Sequence, residues 1–325
     1  MKAAWYEKQG PAAEVLVVGE MPDPQPKPGE VRIRVAASGI NPGDVKKRQD
    51  AFGVRMPYPR VIPHSDGAGT IDGVGEGVPA SRVGERVWCF GAQSSRPFGT
   101  AAEYVVIPAV QAVPLSTGVS FEQGACLGIP GITGHRAVHV GGPVAGKTVL
   151  VQGGAGAVGQ CAVQLAHRAG ARVLATVRKA TDAEVVRRAG ANEVLVTGPD
   201  LIEEIRAYAP AGIDHVVEVA FGHNVASDVA VLADGASIAT YATSHPEPTV
   251  PFWPLVFKNV RLFFLGSDDF PAAAKAAAAQ ALNAAFAAGW AGFEIAHQFP
   301  LSDIALAHER VERPTTPGRV VLKLR

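Results

Sequence analysis

The sequence predicts an α/β protein with a doubly wound parallel sheet in its middle and a β-rich remainder. Three observations carry this reading. Apolar runs alternate with helical patterns from about Phe121 onward, and short extended segments between turn residues precede them. The length of 325 residues suggests about two domains at roughly 150 residues each.

Residues 1–118 read as strands punctuated by Gly, Pro, Asn and Asp. EVRIRVAA (Glu30 to Ala37), GAGTIDGVG (Gly67 to Gly75), ERVWCF (Glu85 to Phe90) and AEYVVIP (Ala102 to Pro108) each hold apolar or β-branched residues between such clusters. MPDPQPKPGE excludes a helix, because each proline removes a donor and biases its predecessor toward extended geometry. Next, KTVLVQ (Lys147 to Gln152) is a compact apolar strand. Val158, Cys161, Ala162, Leu165, Ala166 and Ala169 then recur at helical spacing until Gly170. Strands at Arg172 to Val177, Asn192 to Val196, Asp214 to Ala220 and Ser237 to Tyr241 follow, with helices through Ala183 to Ala189, Leu201 to Tyr208 and Asn224 to Leu232 between them. Strands apolar on both faces imply a parallel sheet covered on both sides. KNVRLFFLG reads as a late strand at a sheet edge. PAAAKAAAAQALNAAFAAG (Pro271 to Gly289) has proline at its start and glycine at its end, as helix termini favour. A helix at Ile304 to Glu312 and the strand GRVVLKL close the chain.

Composition narrows the function. With 30 basic and 30 acidic side chains the formal charge is zero, so the basic excess behind nucleic-acid affinity is missing. A content of 47% hydrophobic and 18% charged residues excludes a disordered chain. The 36 glycines and 25 prolines imply many turns and close backbone approaches. Cys89, Cys126 and Cys161 form neither a C-x-x-C pair nor a Cys/His cluster, which argues against a disulfide scaffold and a zinc ribbon. Glu7 and Lys8 interrupt any signal-peptide core, and no apolar window is long enough to span a bilayer; a soluble cytoplasmic protein is expected. The nine histidines are scattered, and His64-Ser65-Asp66 is a run of neighbours rather than a converging triad.

The most informative stretch is VLVQGGAGAVGQCAVQLAHRAGARVLATVRK. Its G-x-G-x-x-G (Gly154, Gly156, Gly159, with Ala155, Ala157 and Val158 between) follows a strand and opens a helix. The glycines serve a tight turn, close approach to a pyrophosphate and helix–strand packing, while free N–H groups of the helix start face the anion. NAD binders commonly carry an acidic residue at the end of the second strand; here Val177 is followed by Arg178 and Lys179, which favour a 2′-phosphate and therefore NADP(H). The alternative for these two is a solvated loop.

GPAAEVLVV, SGINPGDVKKR, IPHSDGAGTIDGVGEGV, GERV, GTAAEYVVIP, GACLGIPGITGHRAV, VLVQGGAGAVG and TPGRVVLKL, in this order, resemble the medium-chain dehydrogenase/reductase superfamily, and within it the zinc-free, zeta-crystallin-like quinone oxidoreductases. The resemblance covers essentially the whole chain. It implies a Rossmann NADP-binding domain over 119–265 and a β-rich GroES-like substrate domain formed by 1–118 with 266–325. Positions that hold catalytic zinc in related alcohol dehydrogenases match Asn41, Ser65 and Ile129, and the structural-zinc lobe matches cysteine-free AQSSRPF, so no metal is expected. The resemblance places Asn41 beside the nicotinamide, able to hydrogen-bond a substrate oxygen; stabilising the NPGD turn is the alternative. Asp44 matches the family motif. Lys46 departs from it where relatives often carry tyrosine, and either contacts cofactor or substrate or joins Lys47 and Arg48 in a solvated face with Arg48 paired to Asp44. Thr133 matches a position near the nicotinamide, and Thr197 one near the 2′-phosphate. Gly222, Thr240, Tyr241, Phe264, Leu265 and Gly266 are cofactor candidates, mostly by position at strand ends. Cys126 reads as a buried small hydrophobe.

Without a Lewis acid, the acceptor must take hydride unaided, which suits quinones and conjugated enones. The alternatives are a double-bond reductase acting on alkenals, acrylates or enoyl thioesters, and an NADPH-binding structural or RNA-binding protein without turnover. The superfamily resemblance also implies a homodimer joined at the KNVRLFFLG edge.

Overall fold

The computed structural model describes residues 1–324. The chain forms two compact units, Met1–Ile129 with Ala291–Arg325, and Pro130–Trp290.

In the first unit a seven-stranded sheet runs in the spatial order Ile295–Pro300, Arg319–Lys323, Glu30–Gly39, Asp66–Val74, Arg86–Cys89 and Ala112–Pro114, and Tyr104–Pro108 pairs separately with Glu30–Gly39. The long strand Glu30–Gly39 is the hub, because it pairs with Arg319–Lys323, Asp66–Val74 and Tyr104–Pro108. Its alternation sends Val31, Ile33 and Val35 into a core shared with Ile71, Val87 and Ile107. Lys2–Trp5 and Val17–Glu20 make a separate antiparallel pair. Met21 to Pro28 lies outside any helix or strand, as its prolines require.

The second unit carries a six-stranded parallel sheet in the order Glu193–Val196, Arg172–Val177, Thr148–Val151, Ile213–Glu218, Leu232–Thr240 and Arg261–Phe264, which is third, second, first, fourth, fifth and sixth along the chain. This is the doubly wound Rossmann order, with its reversal between the first and fourth strands. Adjacent residues feed opposite faces. Val149, Val151, Val173 and Val217 pack into one core with Ala162 and Val163, whereas Leu150, Leu174 and Val216 pack into another with Ile205 and Val229. Burial on both faces explains why these strands read as unbroken apolar runs. Among the described residues, no helix is long and apolar enough to cross a membrane.

Three elements differ from expectation. The alanine-rich helix, Ala272–Ala287, lies in the second unit rather than with the β-rich one, where it packs on helix Ala157–Arg168. Leu282 on it sits against Gly131, where an added Cβ would come within 2.4 Å. Thus the return to the β-rich unit falls at Ala291 rather than at 266, and 119–129 also belongs to that unit. GIPGITGHRAVH forms the helix Gly128–His139 despite its proline and glycines. Pro130 stands in the first turn, where its missing N–H costs nothing. Gly134 lets the helix meet Cys161, whose Cβ would lie 2.8 Å from a Cβ there. Finally, NPGDVKKR is helical over Pro42–Gln49, with Pro42 at its first position.

Candidate functional site

In the first unit the chemistry gathers around Asn41, the N-cap of helix Pro42–Gln49. Its backbone N–H donates to Asp44 Oδ2 at 2.8 Å, so Asp44 is held in a capping role. The amide is clamped at both ends. Nδ2 donates to Asp66 Oδ2 at 2.7 Å, and Oδ1 accepts from Arg319 Nη2 at 2.9 Å. Asp66 is fully buried, and its other oxygen accepts from the N–H of Ile129 at 2.8 Å. Burial pushes the Asp66 carboxyl up to about 7, against the pull of Asn41, Arg319 and Ile129. Arg319 is itself buried, with its Nε meeting no acceptor. Cys126, also buried, lies against Arg319, and burial raises its thiol.

Behind Asp66 runs a chain of buried hydrogen bonds whose direction follows from its ends. Arg48 Nε can only donate, and does so to His308 Nδ1 at 3.3 Å. His308 Nε2 must then carry the hydrogen toward His64 Nε2 at 2.9 Å. His64 Nδ1–H accordingly donates to Ser38 Oγ at 2.8 Å, Ser38 to Thr100 Oγ1 at 2.7 Å, and Thr100 to the Asp66 carbonyl at 2.6 Å. Both imidazoles are thereby fixed as neutral, opposite tautomers. The expected solvated KKR face is corrected at Arg48, which is fully buried and pairs with Glu312 and the Gly10 carbonyl. Lys46 is partly exposed, its ammonium 5.8 Å from the Phe52 ring centroid. The side chains of His64 and Asp66 diverge, so no triad forms.

The positions matching zinc ligands hold the clamped Asn41 amide, the buried hydroxyl residue Ser65 and the apolar Ile129. Neutral amide, hydroxyl and alkyl groups are poor zinc donors, and nearby His64 has both ring nitrogens engaged. The donor set does not suit zinc. Among the described residues, no group of three or more His, Cys, Asp or Glu side chains is arranged to hold a metal.

In the second unit the glycine loop joins strand Thr148–Val151 to helix Ala157–Arg168. Gly153 adopts φ +68°, and its N–H donates to Thr176 Oγ1 at 3.0 Å. A Cβ on Gly159 would lie 2.3 Å from the Gly153 carbonyl oxygen, and one on Gly154 3.0 Å from Ala175 and Val186 carbons. The glycines therefore keep the loop tight against the sheet. Gly156 provides no side-chain cap, and Gly156, Ala155, Ala157 and Val158 are at least partly accessible. This leaves first-turn N–H groups open to an anion, a fit for a dinucleotide phosphate.

Arg178 and Lys179 are exposed beyond strand Arg172–Val177; the Lys179 carbonyl accepts the Asp182 N–H at 3.0 Å, and neither side chain has a hydrogen bond or ion pair among the described residues. Thr197 follows the next strand and donates to the Val177 carbonyl at 3.2 Å. Thr240 is buried at the end of its strand, and Tyr241 donates its N–H to the Glu218 carbonyl at 3.2 Å. Gly222 is packed near His245 and Thr243. Phe264 is 68% exposed and meets Phe221 edge-on. Leu265 donates its N–H to the Thr240 carbonyl at 2.9 Å, and nothing crowds Gly266. Thr133 is buried on helix Gly128–His139.

These sites sit within matches to known proteins. The alcohol dehydrogenase GroES-like domain family matches residues 27–117, and the zinc-binding dehydrogenase family matches 157–279. The quinone oxidoreductase of Lama guanicoe is 31% identical over 335 residues, covering 100% of this chain and 98% of that protein. The chain belongs to the quinone oxidoreductases of the medium-chain dehydrogenase/reductase superfamily. The human quinone oxidoreductase is also 31% identical, covering 98% of this chain and 96% of its own length. A mycobacterial protein solved in complex with NADPH superposes with a TM-score of 0.86 at 28% identity, covering 99% of this chain and 100% of that one. The zinc-binding label belongs to a family whose match contains none of positions 41, 65 and 129.

Sequence reasoning selected Asn41 but missed Asp66 and Arg319 as its partners, and it missed the polar chain through His64 and His308. The acid of HSD, standing directly before the apolar run GAGTI, was the available signal for Asp66. The histidines generate a prediction. Burial holds His64 down to about 3 and His308 well below its ordinary value. Unfolded histidines take protons near pH 6.5 while these do not, so folding stability is present above that pH and is lost as pH falls from 6.5 toward 3. Two such groups give a slope of up to about 2.7 kcal/mol per pH unit. Urea titrations between pH 7 and 5 should show a steep loss in the wild type and a shallower one in the His64→Gln/His308→Gln variant; equal slopes would refute the assignment.

Proposed function

We propose that the chain is a cytoplasmic NADPH-dependent reductase that delivers hydride to a quinone or a conjugated enone without a metal. The observation that carries this reading is the oriented Asn41 amide where zinc-dependent relatives place a ligand. Nδ2 has a second N–H beyond the one given to Asp66, and that hydrogen serves the acceptor oxygen as charge develops on it. Arg319, donating to Oδ1, draws electron density from the amide and strengthens its N–H groups as donors. Asp44 fixes the backbone from which Asn41 projects.

The cofactor is NADP(H), which supplies the hydride when bound. The first-turn N–H groups of Ala157 and Val158 take the pyrophosphate, Gly156 permits its approach, and Gly154 and Gly159 hold the loop tight beneath it. Arg178 and Lys179, uncommitted to any protein acceptor, hold the 2′-phosphate with Thr197 beside them. Thr133, Gly222, Thr240, Tyr241 and Phe264 to Gly266 are assigned to the rest of the cofactor. Strand Arg261–Phe264 leaves one sheet edge unpaired beside exposed Phe252, Trp253 and Phe257, and a second copy covers that edge in the proposed homodimer.

Three measurements test this reading. Loss of NADPH absorbance should accompany addition of quinones or enones, but not ketones, and should persist with a chelator; loss of turnover on chelation would sink the metal-free reading, and no turnover with any acceptor despite tight NADPH binding would favour a non-enzymatic role. Arg178→Ala should weaken NADPH by about 10- to 100-fold, as expected for a charged hydrogen-bond pair, with NADH little changed; equal losses would remove Arg178 as the phosphate ligand. Light scattering should return the mass of a dimer, and a monomer mass at working concentration would count against edge pairing.

A further inference from the structure

The second unit holds a buried acid pair that the proposed hydride transfer does not use. Glu218 ends strand Ile213–Glu218, Asp228 lies on helix Phe221–Val231, and both are 0% exposed. Each ends a chain of hydrogen bonds. Asp228 Oδ1 accepts from Gln152 Nε2 at 2.8 Å, Gln152 Oε1 accepts from the Thr176 hydroxyl at 2.7 Å, and Thr176 Oγ1 accepts the Gly153 N–H at 3.0 Å. On the other side Glu218 accepts from the Ala220 N–H and from Asn224 Nδ2 at 3.1 and 3.2 Å. Asp228 Oδ2 meets no N–H or O–H donor, and Asn224, one helical turn before Asp228, donates to Glu218, which puts the two carboxyls on the same side of helix Phe221–Val231. Two neighbouring buried carboxyls need a proton between them. Glu218 already accepts from Ala220 and Asn224, so Asp228 Oδ2 is the atom that carries it.

We infer that this shared proton is a structural part of the dinucleotide site, and that Asp228 and Glu218 are positioning residues for it. They tie the loop after the first strand, at Gly153, to the turn after the fourth, at Ala220. These loops flank the point where strand order reverses, the usual place for a dinucleotide in such sheets. The inference rests on the reading that this unit binds NADPH.

The surroundings keep the proton in place. From the end of strand Leu232–Thr240, the half-buried Tyr241 has its phenol within electrostatic reach of Glu218 and of Cys161 on helix Ala157–Arg168. Both are neutral where their protons remain. Gln152, Thr176 and Asn224 carry no charge. Arg206, on helix Leu201–Tyr208 packed against the Asp228 helix, remains at the surface on Glu203 and the Ala230 carbonyl. Among the described residues no cation pairs with either carboxyl. Burial raises both carboxyls, and the neighbouring Glu218 charge raises Asp228 further, well above its ordinary range. An acid with a raised value holds its proton at lower pH and releases it as pH rises, leaving two facing negative charges.

NADPH affinity, read by fluorescence as pH is raised across the range in which the fold is stable, tests the inference. In the wild type it should fall as the pair titrates, by up to about tenfold per pH unit, the limit for one linked proton. Asp228→Asn keeps the acceptor for Gln152 and offers Nδ2–H to Glu218, so its affinity should be nearly flat with pH; Glu218→Gln should behave alike and serves if the first variant fails to fold. Infrared spectra at pH 7 should contain a protonated-carboxyl band that Asp228→Asn removes. Equal pH dependence in wild type and folded variant, or no such band, would overturn the inference, whereas a wild type that binds no NADPH at any pH would overturn the cofactor reading beneath it.

Discussion

The Asp66 carboxyl has lost all of its water, and its surroundings follow from that loss. An unpaired buried carboxylate is too costly to persist, so each oxygen meets an N–H: Asn41 Nδ2 on one, Ile129 on the other. Supplying the first donor places helix Pro42–Gln49 with its cap against strand Asp66–Val74. Supplying the second brings the start of helix Gly128–His139 to the same strand, so closely that a Cβ on Gly128 would lie 2.0 Å from Asp66 Oδ1. Arg319, from the far end of the chain, adds the compensating positive charge and holds the remaining amide atom. One desolvated acid therefore orients a helix cap, a helix start and the C-terminal strand.

The same rule, applied to neutral groups, explains the polar chains deeper in each unit. A buried imidazole must satisfy two nitrogens, and His64 and His308 do so by taking opposite tautomers between Arg48 and Ser38. The Gln152–Thr176 chain satisfies the Gly153 N–H, which the tight glycine turn would otherwise leave unpaired. Polar continuity of this kind specifies one arrangement of elements more sharply than apolar packing, because a shift of one member strands a donor or acceptor beyond it.

The doubly wound unit was legible because its strands are buried on both faces and read as apolar runs, and because Gly154, Gly156 and Gly159 stand between strand and helix. The β-rich unit was legible as short strands between turn residues. Other features depend on contacts that local pattern does not encode. Gly131 and Gly134 look like breakers, yet they are where Leu282 and Cys161 approach the Gly128–His139 helix. The alanine run reads plainly as a helix, but its side chains are too alike to say which unit receives it. Asn41 was identifiable from its motif, whereas its partner Arg319 is 278 positions away. The NPGD cap was readable in principle: Asn at the cap, Pro at the first position and Asp at the third make a helix start, which the turn reading of the same residues obscured.

Under the metal-free reading, Asn41 must do with a neutral amide part of what a cation does elsewhere. A Lewis acid stabilises developing negative charge by its own charge, but a lone amide in water would offer little. Burial changes that balance, since hydrogen bonds strengthen where solvent is absent. The clamp adds direction: Asp66 and Arg319 hold opposite ends of the amide, so no reorganisation is needed when charge appears on an acceptor. A preorganised single donor still supplies far less stabilisation than a divalent ion, on the order of a few kcal/mol. Such a site can assist reduction of an acceptor whose own conjugation spreads the incoming charge, and it is too weak to stabilise the alkoxide of a simple alcohol. Under that reading, the chemistry of one amide would limit the substrates to acceptors that need little help.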